Sequence, residues 1–325
     1  MLRNEDIKVY GRKISSIRNE IKKIIVGQDK TIDGLLIGLL CNGHVLVEGV
    51  PGIAKTLIVR ALAEATGCKF NRIQFTVDLL PTDITGITAY TKEKGFYVIK
   101  GPIFANFILA DEINRAPPKV QSALLEAMGE RQVTIGKETF QLPNPFFVMA
   151  TQNPIESAGT YPLPEAQIDR FILKLLMYYP TLSEETEILK QNIALRRFEE
   201  FGISPVVLPE EIIEMQEAVK QIYVDKSVEN YIVRIVDATR NPKKYDITLG
   251  KYIEWGSSPR GSINLYITSK AKAMLEGKNF VTPQHVKEVA HDVLRHRIIL
   301  NYEGMAENIK VDDIITEILS KVPIS

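Results

Sequence analysis

Eight consecutive residues, Gly49-Val50-Pro51-Gly52-Ile53-Ala54-Lys55-Thr56, bring glycines, a lysine and a hydroxyl together between an apolar run and a run with helical spacing. Those residue types in that order suit phosphate. Consecutive backbone N–H groups and a helix N-terminus can face an anion, Lys55 supplies positive charge to β and γ groups, and the Thr56 hydroxyl can bind magnesium. The segment matches the phosphate-binding loop pattern at every position except the last glycine, where Ala54 stands. A methyl group at that point would weaken nucleotide binding if the backbone needs positive φ. Further along, the apolar run Phe107-Ile108-Leu109-Ala110 ends in two adjacent carboxylates, Asp111 and Glu112. Side chains alternate along a strand, so these acids are expected to point in different directions, one toward a magnesium shell and the other toward a water. Taken with the upstream loop, the pair turns a nucleotide site into a catalytic one.

These residues need elements to hold them. His44 to Glu48 has the pattern of a short buried strand running into the loop, and Thr56 to Thr66 that of the helix leaving it. Phe70 to Phe75, Phe107 to Ala110 and Phe146 to Ala150 are further strand candidates, separated by helical or hairpin stretches. Buried strands alternating with helices predict an α/β core with a parallel sheet covered on both faces. Ahead of it, Ile14, Ile17, Ile21, Ile24 and Ile25 fall on one face of a charged helix, and Lys30 to Leu40 forms a second, more apolar one. Near Pro180 and Ser183 the pattern changes, and Glu211–Tyr223, Ser227–Arg240, Ser258–Leu275 and Pro283–Arg295 have helical spacing. The expected division is a nucleotide-binding core over 1–182, a linker over 183–209 and a smaller all-α domain over 210–325. Two hairpins are expected within the core, Tyr90 to Tyr97 and Gln132 to Phe140, the latter alternating around a Gly-Lys turn.

Composition bounds the rest. A chain of 325 residues with 45% hydrophobic and 25% charged residues can bury a real core, which excludes disorder as the main state. Forty basic residues balance forty acidic ones, which argues against holding nucleic acid on a broadly basic surface. The eight lysines and arginines among residues 3–30 are a mild local excess over four acids. Two cysteines, Cys41 and Cys68, suit free thiols in a reducing compartment better than a disulfide or zinc framework. With no apolar leader at Met1 to Tyr10 and no run near the ~18 apolar residues of a membrane span, a cytoplasmic protein is expected.

Several of these segments together resemble one family. The loop Gly49 to Thr56, the stretch Ala110-Asp111-Glu112-Ile113-Asn114-Arg115-Ala116, the strand Ala150-Thr151-Gln152-Asn153-Pro154, Pro164 to Phe171, and Ser258-Pro259-Arg260 occur in the order found in AAA+ ATPases of the MoxR family. The resemblance spans about residues 5–320, and Ala-Lys-Thr at the loop's end is common in that family. It implies ATP or ADP as ligand, with Mg2+ held by Thr56 and Asp111, and the loop through Leu57 touching the nucleotide. It also implies Glu112 as the residue that orients the attacking water and Asn153 as the sensor at the tip of the strand between the loop strand and the acidic strand. Arg170 corresponds to an arginine finger donated across a subunit boundary, and Arg260 to a second sensor in the helical domain. Val26 and Gly27 would flank the adenine. From the residues alone, Asn153 is equally a turn asparagine, Arg170 a surface ion pair and Arg260 a solvated helix-start arginine.

The same resemblance places the two hairpins among the insertions of the helix-2-insert clade, the first near a ring pore. It implies a hexameric ring, a von Willebrand factor A domain partner, and chaperone-like remodelling of a protein client. A helicase-like DNA motor uses the same hairpins in relatives, and a non-hydrolysing nucleotide-gated scaffold would need a damaged acidic pair, which this chain does not have.

Overall fold

The computed structural model describes residues 4–93, 95–153, 159–191 and 196–324. Lys94 in the first expected hairpin, Pro154 in the 150–154 motif and residues 192–195 of the expected linker lie outside the described residues. In chain order, α1 (Asn4–Lys22) buries Ile7, Ile14, Ile17 and Ile21, and α2 (Asp29–Leu40) is buried along most of its length. Strand β1 (Val45–Gly49) leads through the glycine-bearing loop into α3 (Lys55–Ala65). Next come β2 (Phe70–Gln74), the short α4 (Pro81–Thr85), the strands β3 (Gly86–Thr91) and β4 (Gly95–Lys100), and β5 (Phe107–Asp111). Helix α5 (Pro118–Glu130) precedes β6 (Gln132–Ile135) and β7 (Glu138–Gln141). They are followed by β8 (Phe147–Gln152), the single turn α6 (Glu165–Ile168), β9 (Leu173–Met177) and α7 (Leu182–Lys190).

The remaining elements are α8 (Pro209–Lys220), α9 (Lys226–Arg240), β10 (Ile253–Trp255), α10 (Pro259–Leu275), α11 (Pro283–Leu294), β11 (Ile299–Leu300), α12 (Tyr302–Ala306) and α13 (Val311–Lys321). Their starts are chemically marked. Asp225 accepts from the Ser227 N–H to cap α9, and Ser258 accepts from the Arg260 N–H to cap α10, with Pro259 at its first position.

The main sheet has five strands in the order β2-β5-β8-β1-β9, with the β2/β5, β5/β8 and β8/β1 pairs parallel. Its central strands bury nearly every residue, as strands covered on both faces must. Under one face, Ile108, Val148 and Leu46 pack with Leu124, Leu125 and Met128 of α5. Strand β8 lies between β5 and β1, so the chain leaving it comes out between the phosphate loop and the acidic strand end. Both hairpins form. Tyr90 pairs with Phe96 in β3/β4, and in β6/β7 Gly136 takes φ 63, the conformation that the Gly-Lys turn requires.

Two compact units emerge. One contains 15–171 and 175–214, and the other contains Met1–Ile14, Ile172–Lys174 and Met215–Ser325. These boundaries differ from the expected 1–182, 183–209 and 210–325. Residues 183–209 are not a free linker, since most of α7 lies there and Phe201 and Val207 are buried. The Val206 N–H donates to Ala65 O at 2.9 Å and Arg60 pairs with Glu199 at 2.7 Å, which lays this polar stretch along α3. In the second unit α9, α10, α11 and α13 supply the buried core, with α13 an addition to the helices expected. A two-stranded antiparallel ribbon, β10/β11, accompanies them.

Candidate nucleotide site

Two glycines shape the loop for different reasons. A Cβ on Gly49 would come within 2.9 Å of Met177 O and 2.8 Å of the Ile53 side chain, so close packing excludes one. Gly52 has open space around it but takes φ 83, where L side chains are strained. Ala54 takes φ 64 and ψ 22 immediately before α3. The position does need positive φ, and an alanine occupies it. Because no side chain caps α3, its first N–H groups are left to face the cleft, where an anion would complete them. Lys55 Nζ donates to Gly49 O, which folds the side chain back over the loop. Burial pulls the Lys55 ammonium below the usual lysine range, and the carboxylates of Asp111, Glu112 and Glu48 pull it back up.

The acidic pair is built by the sheet. Asp111 is the last residue of β5 and lies opposite Gln74 of β2. Its Oδ1 accepts from Thr151 Oγ1 at 2.7 Å, and its Oδ2 from Arg72 Nη2 at 2.7 Å and Nε at 3.1 Å. Glu112 is past the strand and takes φ 55, so its direction comes from a left-handed residue rather than from strand alternation. Its N–H donates to Thr151 Oγ1 at 2.8 Å. Its Oε2 accepts from Gln74 Nε2 at 3.0 Å and Arg115 Nη1 at 2.9 Å. Thr151, one residue before the end of β8, therefore ties both acids to the neighbouring strand.

A cleft of about 300 Å³ gathers Lys55, Thr56, Arg72, Asp111, Glu112 and Asn153. Asn153 follows β8 directly, is 6% exposed and lines the cleft together with the loop and the acids. Pro51, Gly52, Ala54 and Leu57 complete the wall, and Val50 precedes Pro51 in the loop. A second, more apolar cavity of about 200 Å³ shares Gly52, Ala54 and Leu57 with the first and is lined by Val26, Ile53 and Ile188. Gly27 takes φ 67, and a Cβ there would run into the Glu184 side chain of α7. The space therefore suits triphosphate in the polar cleft and a flat apolar ring beside Val26. The Thr56 hydroxyl and the Asp111 carboxylate are hard oxygen donors, the set that suits Mg2+ shared with substrate phosphates and water.

Arg170 is exposed and lies apart from the residues lining this cleft, with Nη1 donating to Leu125 O of α5 at 2.7 Å. Arg260 sits in the first turn of α10 in the other unit. Sequence reasoning quoted Thr151 within a motif without giving it a role, and it missed Arg72, Gln74 and Ile188. Arg72 and Gln74 reach the acids only through the β2/β5 register, and Ile188 reaches its cavity from a helix within the expected linker, so no local signal marks them.

Comparison with known proteins agrees with this fold. Residues 44–173 match the family described as ATPase family associated with various cellular activities (AAA), and residues 249–318 match the AAA lid domain. The chain is 46% identical over 310 residues to Chaperone MoxR1 of Mycobacterium tuberculosis, covering 93% of this chain and 80% of the relative. Protein MoxR of Methylorubrum extorquens is 31% identical over 320 residues, covering 94% and 93%. A crystal structure of a candidate ATPase from Cytophaga hutchinsonii superposes with a TM-score of 0.93 at 47% identity, covering 99% of this chain and 97% of that one. With loop, acids and lid each accounted for in fold and in sequence, this chain belongs to the MoxR family of AAA+ ATPases, enzymes that hydrolyse ATP.

Proposed function

We propose that this protein hydrolyses ATP with Mg2+ and uses the cycle to remodel, assemble or activate a protein client. One observation carries the reading: Lys55, Thr56, Asp111, Glu112 and Asn153, drawn from a helix start and the ends of two separate strands, line one cleft. In this reading the α3 N-terminus and Lys55 bind and neutralise the β and γ phosphates, and Thr56 and Asp111 hold the cation. A divalent cation held by Thr56 and Asp111 would supply positive charge to offset that building on the phosphates. Glu112 accepts a hydrogen bond from the attacking water through its carboxylate, Asn153 fixes that water's second direction, and Val26 and Leu57 keep solvent from the base. Arg170, with Leu125 O as its partner within the chain, is the finger offered to the neighbouring subunit of a hexameric ring, and Arg260 the sensor that reports nucleotide to the helical unit.

A protein client is favoured over DNA by the β3/β4 hairpin and the charge balance. Its exposed Tyr90 and Phe96 rings face each other across the hairpin 5.0 Å apart, an apolar aromatic pair suited to polypeptide. The chain as a whole carries no net charge with which to hold phosphate backbones. A von Willebrand factor A domain protein is the expected partner, in a cytoplasmic setting that suits the free thiols of Cys41 and Cys68. Among the described residues no helix is long and apolar enough to cross a membrane. The test is ATP turnover measured with and without Mg2+, beside a DNA titration at several salt concentrations. ATP turnover that needs Mg2+ and is indifferent to DNA supports the reading; DNA stimulation with a steep salt dependence supports the motor instead.

A further inference from the structure

Asp111 uses its two carboxylate oxygens differently. Oδ1 is held by the hydroxyl of fully buried Thr151 at 2.7 Å, and that same hydroxyl takes the Glu112 N–H at 2.8 Å. This is a fixed contact inside the sheet. Oδ2 is held by Arg72 through Nη2 at 2.7 Å and Nε at 3.1 Å. The Arg72 side chain is 49% exposed, whereas that of Asp111 is 15% exposed. The guanidinium lines the same cleft as Lys55 and Thr56, and its Nη2 also donates to Gln74 Oε1 at 2.6 Å.

We propose that Arg72 is a displaceable counter-ion of Asp111, a positioning residue that competes with the divalent cation for this carboxylate and so sets the cation concentration at which the site fills. The proposal rests on the assignment of Asp111 to the metal shell made above. A guanidinium donating two hydrogen bonds to one oxygen is a strong, charge-assisted contact. A divalent cation held at this carboxylate would stand against the same positive group, and the two cations cannot share it without repulsion. Of the groups on Asp111, Arg72 is the one able to leave. Its side chain is long and half in water, so departure costs it little solvation, and Gln74 offers it a neutral partner nearby. Thr151 is buried and engaged at both ends, so it holds the carboxylate in place during the exchange.

The experiment measures Mn2+ binding to the whole chain in saturating ADP, with free Mn2+ followed by electron paramagnetic resonance, for wild type, Arg72→Gln, Arg72→Lys and Asp111→Asn. Arg72→Gln should bind Mn2+ about three- to tenfold more tightly than wild type, the range expected for removing one half-exposed cation from the carboxylate. Arg72→Lys keeps a cation near Asp111 and should stay within about twofold of wild type. Asp111→Asn should bind at least about tenfold more weakly, since one anionic ligand is gone. Unchanged or weaker binding in Arg72→Gln, with Asp111→Asn impaired, refutes the counter-ion role and leaves the metal assignment standing. Wild-type binding in Asp111→Asn refutes the metal assignment itself and the proposal with it.

Discussion

At the scale of single residues, Lys55 and Glu112 face the same cleft with opposite charges and opposite tasks. Lys55→Ala removes the cation that meets the phosphates, so ATP binding should fall by at least about tenfold. Glu112→Gln keeps size and hydrogen bonding but loses the anionic acceptor, so it should bind ATP nearly as wild type while turnover drops by about 10²-fold or more. Fluorescent-nucleotide titration beside phosphate release measures both, and equal loss of affinity in the two variants would contradict the division of labour. Ala54 presents a different question, one of backbone strain. An L residue in the left-handed region costs about 1–2 kcal/mol, and glycine's extra freedom in the unfolded chain returns about half of it. Ala54→Gly should therefore raise the unfolding free energy by about 0.5–1 kcal/mol, whereas β-branched Ala54→Val should lower it by about 1–2 kcal/mol. Urea denaturation of the two variants checks this, and a destabilised Ala54→Gly would show that the loop tolerates alanine without strain.

At the scale of elements, His44 joins α5 to β8 from the start of β1. Its Nδ1 accepts from the Val148 N–H at 3.1 Å, so the ring proton sits on Nε2, which donates to Met128 O at 3.2 Å. Protonation would put a second donor against the Val148 N–H. Burial, with Arg131 adding a like charge, holds His44 down to about 3 from its usual 6.5. Between those values the unfolded chain binds a proton that the folded chain refuses, so stability is complete above about pH 6.5 and declines as pH falls toward 3. The slope from one such group is about 1.4 kcal/mol per pH unit. His285 is also shifted down by burial and adds in the same direction, so the comparison needs a variant. His44→Gln can keep one donor and one acceptor without titrating, and its urea midpoint should fall less than the wild type's between pH 7 and pH 5. Parallel losses in both proteins would place the acid sensitivity elsewhere.

At the scale of the whole molecule, the proposed ring shares each active site between two chains. Arg170 is exposed and donates to the Leu125 carbonyl oxygen, a neutral partner that leaves the arginine's charge uncompensated. Arg170→Ala should bind ATP and barely turn it over, because a finger contributes roughly 10³–10⁵ in rate where it has been removed. Lys55→Ala should be inactive for the complementary reason. Mixing the two dead variants before assembly creates some interfaces with an intact loop and an intact finger, and partial ATP turnover should return. Mixed rings confirmed by native mass measurement but showing no recovered turnover would place Arg170 outside the shared site. An Arg170→Ala protein with nearly full activity would make it a structural residue of the α5 end.

Much of this molecule is legible in the local chemistry of its chain. The loop Gly49 to Thr56 is read in order along the chain because a phosphate is held by consecutive N–H groups, and the acids at Asp111 and Glu112 follow an apolar run that has to be a buried strand. The helix start at Ser258 and the turn at Gly136 are equally local, since capping and positive φ depend on a few neighbouring residues. What touches the acids is not. Arg72, Gln74 and Thr151 reach Asp111 and Glu112 across strand pairs, and the order that sets β8 between β5 and β1 is a property of the folded sheet. Residues 183–209 read as a linker for the same reason, because their polar composition conceals Phe201 and Val207 packed into the first unit. Residue type and short spacing are enough to say which groups can do the chemistry, and both are written along the chain. Which groups restrain them emerges only on folding, because pairing between distant strands is settled by the burial of both faces of the sheet and leaves no mark at either position alone.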